Sequence, residues 1–223
     1  PQKRTPAARM KQKPHTTMKR IILLFLLLPA AISLRGASLV EGIVYLRNGS
    51  EVRFTDDDRI RTPKKKGSLK AFRDAFKKGK QKLIYRYGEI DSIVLRHPQA
   101  REYARKFVPL PTAGWSWVYV ETPYITVYVY GRKGYGIASN GGIQVWQKHR
   151  TFSQSRVAYY LQKAGGGEPF PIGGANRRNR DAFRERIARY IEQEDPLLAE
   201  RIRRSDTGRS KTVLMLHEYR PEK

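Results

Sequence analysis

The residues in this sequence best able to do chemistry are basic and aromatic. Lysine and arginine number 45 against 20 aspartate and glutamate, a formal net charge of +25. The basic residues gather in short runs: Lys64, Lys65 and Lys66; Lys77, Lys78 and Lys80; Arg177 and Arg178. Such runs attract polyanions, including anionic lipid headgroups, lipopolysaccharide, nucleic acid and acidic protein surfaces, without choosing among them. The aromatics concentrate in two alternating segments, Trp115-Ser116-Trp117-Val118-Tyr119-Val120 and Ile125-Thr126-Val127-Tyr128-Val129-Tyr130. A period of two puts Trp115, Trp117 and Tyr119 on one strand face, which is either core or an aromatic contact face for a partner.

Catalytic patterns are weak by comparison. The histidines, His15, His97, His149 and His217, have no metal-ligand spacing. No serine sits in a nucleophile-elbow context. The carboxylates Glu89 and Asp91, and Glu192, Glu194 and Asp195, read as ion-pair partners of the abundant Arg and Lys. Asp56-Asp57-Asp58 lacks the spaced oxygen ligands and glycine of a calcium loop. Gly165-Gly166-Gly167 lacks the Gly-Lys-Ser/Thr continuation of a phosphate loop. The absence of cysteine excludes disulfides, thiolate chemistry and cysteine-based zinc or iron–sulfur sites. The balance leans away from an enzyme, and no cofactor or metal is expected.

These side chains need elements to position them, and the first candidate element is a leader. Met18-Lys19-Arg20 precedes an apolar run from Ile21 to Leu28, then Pro29 and small residues. A positive start, a short apolar stretch and a helix breaker form the three-part pattern of a signal peptide. The run Ile21–Ile32 is short for a bilayer span. The expected organisation is residues 1–17 as a basic disordered extension or start-site artefact and 18–37 as the signal peptide, cleaved after Ser33. Residues 38–164 then form a β-rich domain. Residues 165–223 form a glycine linker, two short helices and a terminal strand packed on the same domain.

Within the β-rich part, Val40–Leu46 and Glu51–Phe54 flank Asn48-Gly49, the strongest short hairpin signal. Ser68 is read as the cap of a short helix with Leu69, Phe72, Ala75 and Phe76 on one face. Lys82–Tyr87 and Ile90–Leu95 are read as a strand pair around Tyr87-Gly88-Glu89. Residues 97–113, with three prolines, are read as a loop with one helical turn at Arg101–Phe107. Two strands at 115–120 and 125–130 follow, with Ile143–Lys148 and Val157–Gln162 extending the sheet. From Arg178 the period becomes helical, with Phe183, Ile187 and Ile191 at i+4 steps. Asp195-Pro196 is a cap and first-turn pair for a second helix carrying Leu197, Leu198 and Ile202. Thr212–Leu216 is expected as a last strand or a docked helical turn. The fold class is α+β: a mostly antiparallel sheet or partly open barrel with a helical C-terminal part.

The opening Glu41-Gly42-Ile43-Val44 with Asn48-Gly49-Ser50-Glu51-Val52 resembles that of small signal-peptide-bearing exported proteins of Bacteroidota. Ile84-Tyr85-Arg86-Tyr87, Tyr159-Tyr160-Leu161 and Asp195-Pro196-Leu197-Leu198 extend the resemblance over most of residues 38–204. It implies export and one compact domain and supplies no catalytic residues. The Lys-rich insert near 64–80 departs from that pattern. The sequence therefore leads to an exported protein of the periplasm or outer-membrane periphery, acting by binding or structure. Its expected partners are anionic envelope lipid, lipopolysaccharide or another envelope protein. The alternative is an intracellular nucleic-acid-binding protein using a basic surface and exposed aromatics.

Overall fold

A computed structural model describes residues 39–145, 157–174 and 179–221. The leader, the extension before it, Arg177 and Arg178 lie outside the described residues, as do Trp146–Lys148 and His149.

The architecture is α+β. Among the described residues thirteen strands run from β1 (Leu39–Leu46) and β2 (Glu51–Phe54) through β3 (Arg59–Arg61), β4 (Leu69–Arg73), β5 (Gln81–Tyr85), β6 (Ile90–His97) and β7 (Ala100–Leu110). They continue with β8 (Gly114–Glu121), β9 (Ile125–Gly131), β10 (Tyr135–Ile137), β11 (Ile143–Val145), β12 (Val157–Lys163) and β13 (Phe170–Gly174). Three helices close the described chain: α1 (Arg180–Ile191), α2 (Pro196–Arg204) and α3 (Arg209–Leu214), the last running into a 3-10 turn at Met215–Glu218.

One antiparallel sheet has the order β13-β12-β9-β8-β7-β6-β1-β3-β4-β5, with β2 also paired to β1, and β10-β11 form a separate ribbon. The edges β13 and β5 do not pair with each other, so the sheet is open and not a closed barrel. Its N-terminal half is nevertheless strongly curled. In a flat sheet, β5 and β6 would stand four strand spacings apart, about 19 Å. Only residues 86–89 join them, and Tyr87–Glu89 are wound into a 3-10 turn, well short of full extension. The curl encloses a core of Val40, Val44, Phe54, Ile60, Leu69, Ile93, Phe107 and Trp115, plugged by Tyr135 and Ile137. Gly42 permits the close approach inside it: a Cβ there would lie 2.3 Å from the Val94 carbonyl oxygen.

The hairpin around Asn48-Gly49 forms as expected, with Tyr45 opposite Glu51 and Gly49 at φ 84°. Four expectations are corrected. Ile143–Lys148, read as extending the sheet, is described as far as Val145, and there β11 pairs with β10 and not with the main sheet. The segment read as a capped helix is β4, paired to β3 and β5. Leu69 and Ala71 point inward, and Asp74 at φ 47° ends the strand, leaving Phe76 exposed beneath the Arg59 guanidinium. The strands flanking Tyr87–Glu89 are not partners: β5 pairs with β4, and β6 with β1 and β7. Residues 100–110, read as a loop, form an eleven-residue strand. Arg101–Ala104 lie before the first residue paired to β8, Phe107, and are exposed, so they show no apolar period. Pro109 lies beyond the last residue paired to β6, Phe107, so its missing N–H removes no bond from that ladder.

The second core lies under the helices. Phe183, Ile187, Ala188 and Ile191 of α1, Leu198, Ala199 and Ile202 of α2, and Val213 of α3 pack on Val127, Val129, Tyr159 and Leu161. Each of the Val, Leu, Ile and Phe side chains contributes about 1.5–3 kcal/mol by leaving water. Asp195 caps α2 by accepting the Leu198 N–H at 3.0 Å, with Pro196 in the first turn. Leu197, also on α2, points outward and is 74% exposed. Thr212–Leu216 takes the helical of its two expected forms, so there is no terminal strand. Among the described residues no helix is long and apolar enough to cross a membrane.

Candidate functional site

Strands β8, β9 and β12 position the aromatic side chains, and their register decides which face each one takes. On one face Tyr159 opposes Val129, which opposes Trp117, and Leu161 opposes Val127. This is the face the helices cover. On the other face Tyr160 opposes Tyr128, which opposes Val118, and Ala158 opposes Tyr130, which opposes Ser116. Tyr128, Leu110 and Ala113 are buried there, with Tyr130, Tyr160, Val108 and Val118 half-buried around them. Burial holds the Tyr160 hydroxyl, like that of Tyr128, above its ordinary pKa, so both stay neutral donors at physiological pH.

The expected aromatic contact residues thus lie on the helix-covered side. Trp115 is fully buried, and its indole N–H donates to the Gly67 carbonyl at 2.9 Å. It is a core residue, and it cannot meet a partner in the folded protein. Trp117 and Tyr119 are half-buried, with ring centroids 4.9 Å apart, beside a β-bulge between Val118 and Val120.

Of the basic runs, Lys64–Lys66 has the clearest surroundings. Its loop is held against the β7–β8 turn: the Trp115 N–H donates to the Lys65 carbonyl at 2.9 Å, and the Lys66 ammonium donates to the Pro111 carbonyl at 2.5 Å. Lys65 adopts a left-handed φ of 50°. On the other side the loop meets the β9–β10 turn, where a Cβ on Gly134 would lie 2.8 Å from the Lys64 side chain. Two basic segments distant in sequence therefore meet. Lys65, Lys66, Arg132, Tyr130, Tyr160 and Thr112 line one open depression of about 670 Å³. Among the described residues no carboxylate lines it.

The run at Lys77, Lys78 and Lys80 lies at the opposite end of the β4–β5 hairpin, where Arg73 opposes Gln81. Lys77 is held by Asp74 at 2.9 Å and Asp57 at 3.1 Å, which raise its pKa, and Lys80 lies over the Phe72 ring. The structure does not join this run to the first. Asp58, of the acidic triple, pairs with Arg73 and accepts the Asp74 N–H.

The carboxylate pairs are also occupied by cations and N–H donors. Glu192 binds Arg203 at 2.8 Å, Glu194 binds Lys163 at 2.5 Å, and Glu89 accepts the Arg86 N–H at 2.9 Å. Glu41, 1% exposed, is held bidentately by Arg101 with both contacts at 2.8 Å. Burial lowers the pKa of His97, whose ring nitrogen accepts the Gln99 N–H. Among the described residues no group of three His, Asp or Glu side chains is placed to hold a metal ion.

The tyrosine face is the functional candidate that the sequence left unassigned. Its signal was present as the other parity of β9 and β12, Tyr128, Tyr130 and Tyr160. Which parity faces the helices depends on packing by residues 180–216, which the strand pattern alone does not contain. Comparison with protein-family models, curated proteins and solved structures gives no match to this chain.

Proposed function

We propose that this is an exported, non-enzymatic envelope protein that binds anionic headgroups through the tyrosine face rimmed by Lys65, Lys66 and Arg132. The observation that carries the reading is the meeting of Lys64–Lys66 with Arg132 beside Tyr130 and Tyr160, in a depression without a carboxylate among the described residues. Phosphate-bearing headgroups supply the charge these cations lack, and half-buried tyrosines are suited to the boundary between polar and apolar surroundings. The leader pattern at 18–37 and the resemblance to exported proteins of Bacteroidota support the location.

Co-sedimentation with vesicles tests the binding. Phosphatidylglycerol or lipopolysaccharide vesicles should retain the protein, neutral phosphatidylcholine vesicles should not, and raising the salt should release it. Equal retention on neutral vesicles would defeat the reading. N-terminal sequencing from the fractionated host tests export, which predicts a mature start near Leu34 in the periplasmic or membrane fraction.

A second reading keeps the same face but makes single-stranded nucleic acid the partner. It is favoured by Tyr130 and Tyr160, half-buried on two adjacent strands next to a basic rim, an arrangement able to stack bases. An intact leader in the cytoplasm, with tight binding to oligo(dT), would select it.

A further inference from the structure

A second site lies on the helix-covered side of the same strands, and it does not depend on the headgroup reading. Tyr159, Arg180, Arg209, Ser210 and Lys211 line a cavity of about 530 Å³ together with Asp206, Thr207 and Gly208. Trp117, Tyr119, Val129, Val157, Tyr159 and Ser210 line another of about 410 Å³. The two share Tyr159 and Ser210, whose hydroxyls lie 3.5 Å apart, so the cavities adjoin at these residues. Each has the size of a small-molecule pocket, about 300–1,000 Å³.

The halves differ in chemistry. The first offers three cationic side chains against one carboxylate, Asp206. Arg209 is fixed over the Phe183 ring at 5.2 Å, and its Nε is buried without a hydrogen-bond partner. Buried polar groups are normally paired, so this shielded nitrogen leaves the guanidinium short of an acceptor, and the part of Arg209 that lines the cavity can take a carboxylate or phosphate from outside the chain. Arg184 holds the Thr207 carbonyl at 3.3 Å and so positions the segment that carries Arg209. The second half is aromatic and aliphatic apart from its hydroxyls.

We propose that this two-part groove binds a small amphipathic anion, with a carboxylate or phosphate head at Arg209 and Lys211. The apolar body of the ligand lies against Trp117, Tyr119 and Val129. The two aromatic side chains meet edge to face, 62° between their ring planes, and form an angled wall against which an aromatic body can pack.

Isothermal titration calorimetry of the full chain with naphthalene-2-carboxylate, 2-naphthol and inorganic phosphate tests this. The carboxylate should bind at least roughly tenfold more tightly than either the neutral or the headgroup-only probe. Arg209→Gln should weaken the carboxylate roughly tenfold and leave 2-naphthol unchanged. Lys211→Gln, at an exposed position that folding does not need, should weaken it about threefold. No binding of the carboxylate, affinity no tighter than that of 2-naphthol, or binding indifferent to both substitutions would overturn the proposal. The Lys65, Lys66 and Arg132 variants serve as the control, because they should leave this binding unchanged.

Discussion

The two faces of the β8-β9-β12 segment carry similar residues and meet different fates. One face presents Val127, Val129, Tyr159 and Leu161, and the three helices cover it. The other presents Tyr128, Tyr130 and Tyr160, and it ends at a basic rim with no helix over it among the described residues. Both are aromatic or aliphatic enough to serve as core. The difference is made by what the rest of the chain supplies: apolar residues at i+4 spacing in α1 for one side, and a lysine loop for the other. An apolar strand face becomes interior only when a complementary face is available to bury it.

Truncation should separate the faces most sharply. Ile187→Ala, beneath the helices and fully buried, is expected to cost about 3 kcal/mol of unfolding free energy by urea titration. Tyr160→Ala on the open face should cost about 1 kcal/mol or less while reducing retention on anionic vesicles. If the two costs were equal, the open face would be core as well. Tyr135→Phe comes next. Its hydroxyl accepts the Gly131 N–H and lies 2.8 Å from the carbonyls of Trp115 and Val129, tying β8 to β9 from inside. Its loss should cost about 1.5 kcal/mol in the same titration. Asp195→Ala removes the α2 cap and should cost about 1 kcal/mol, read as a lowered thermal midpoint.

The smallest effect is in acid. Hydrogen bonds from Arg189 and Arg203 hold Glu185 below the usual carboxylate range, and Lys163 and Tyr219 do the same for Glu194. The pKa values of both carboxylates are depressed on folding, so their contribution is present above the unfolded carboxylate pKa, about 4.3. It is lost as pH falls through the lower folded values. Glu194→Gln should flatten this acid limb in urea titrations between pH 5 and 3, and an unchanged slope would remove Glu194 from the account.

Local signals in the sequence were good guides where the chain was locally determined. Asn48-Gly49 announced its hairpin, the alternation at 115–130 its strands, and Asp195-Pro196 its helix start, because each rests on a few neighbouring residues. Legibility failed where distant contacts ruled. The spacing of Leu69, Phe72, Ala75 and Phe76 suits a helix, yet pairing to β3 and β5 makes the segment a strand. The exposed first half of β7 has no apolar period to read. The lysine run at 64–66 was visible as a run, but its meeting with Arg132 is a product of the fold. The inward turn of Trp115 follows from the same tertiary contacts, through its bond to Gly67.

The most direct test of the central claim is retention of the Lys65→Gln, Lys66→Gln, Arg132→Gln triple variant on phosphatidylglycerol vesicles, compared with the parent chain. The account predicts at least a roughly tenfold loss of affinity with an unchanged unfolding midpoint, since surface charges of this kind contribute little to stability. Full retention by the correctly folded variant would contradict it, and the open tyrosine face would then not be where this protein meets an anionic surface.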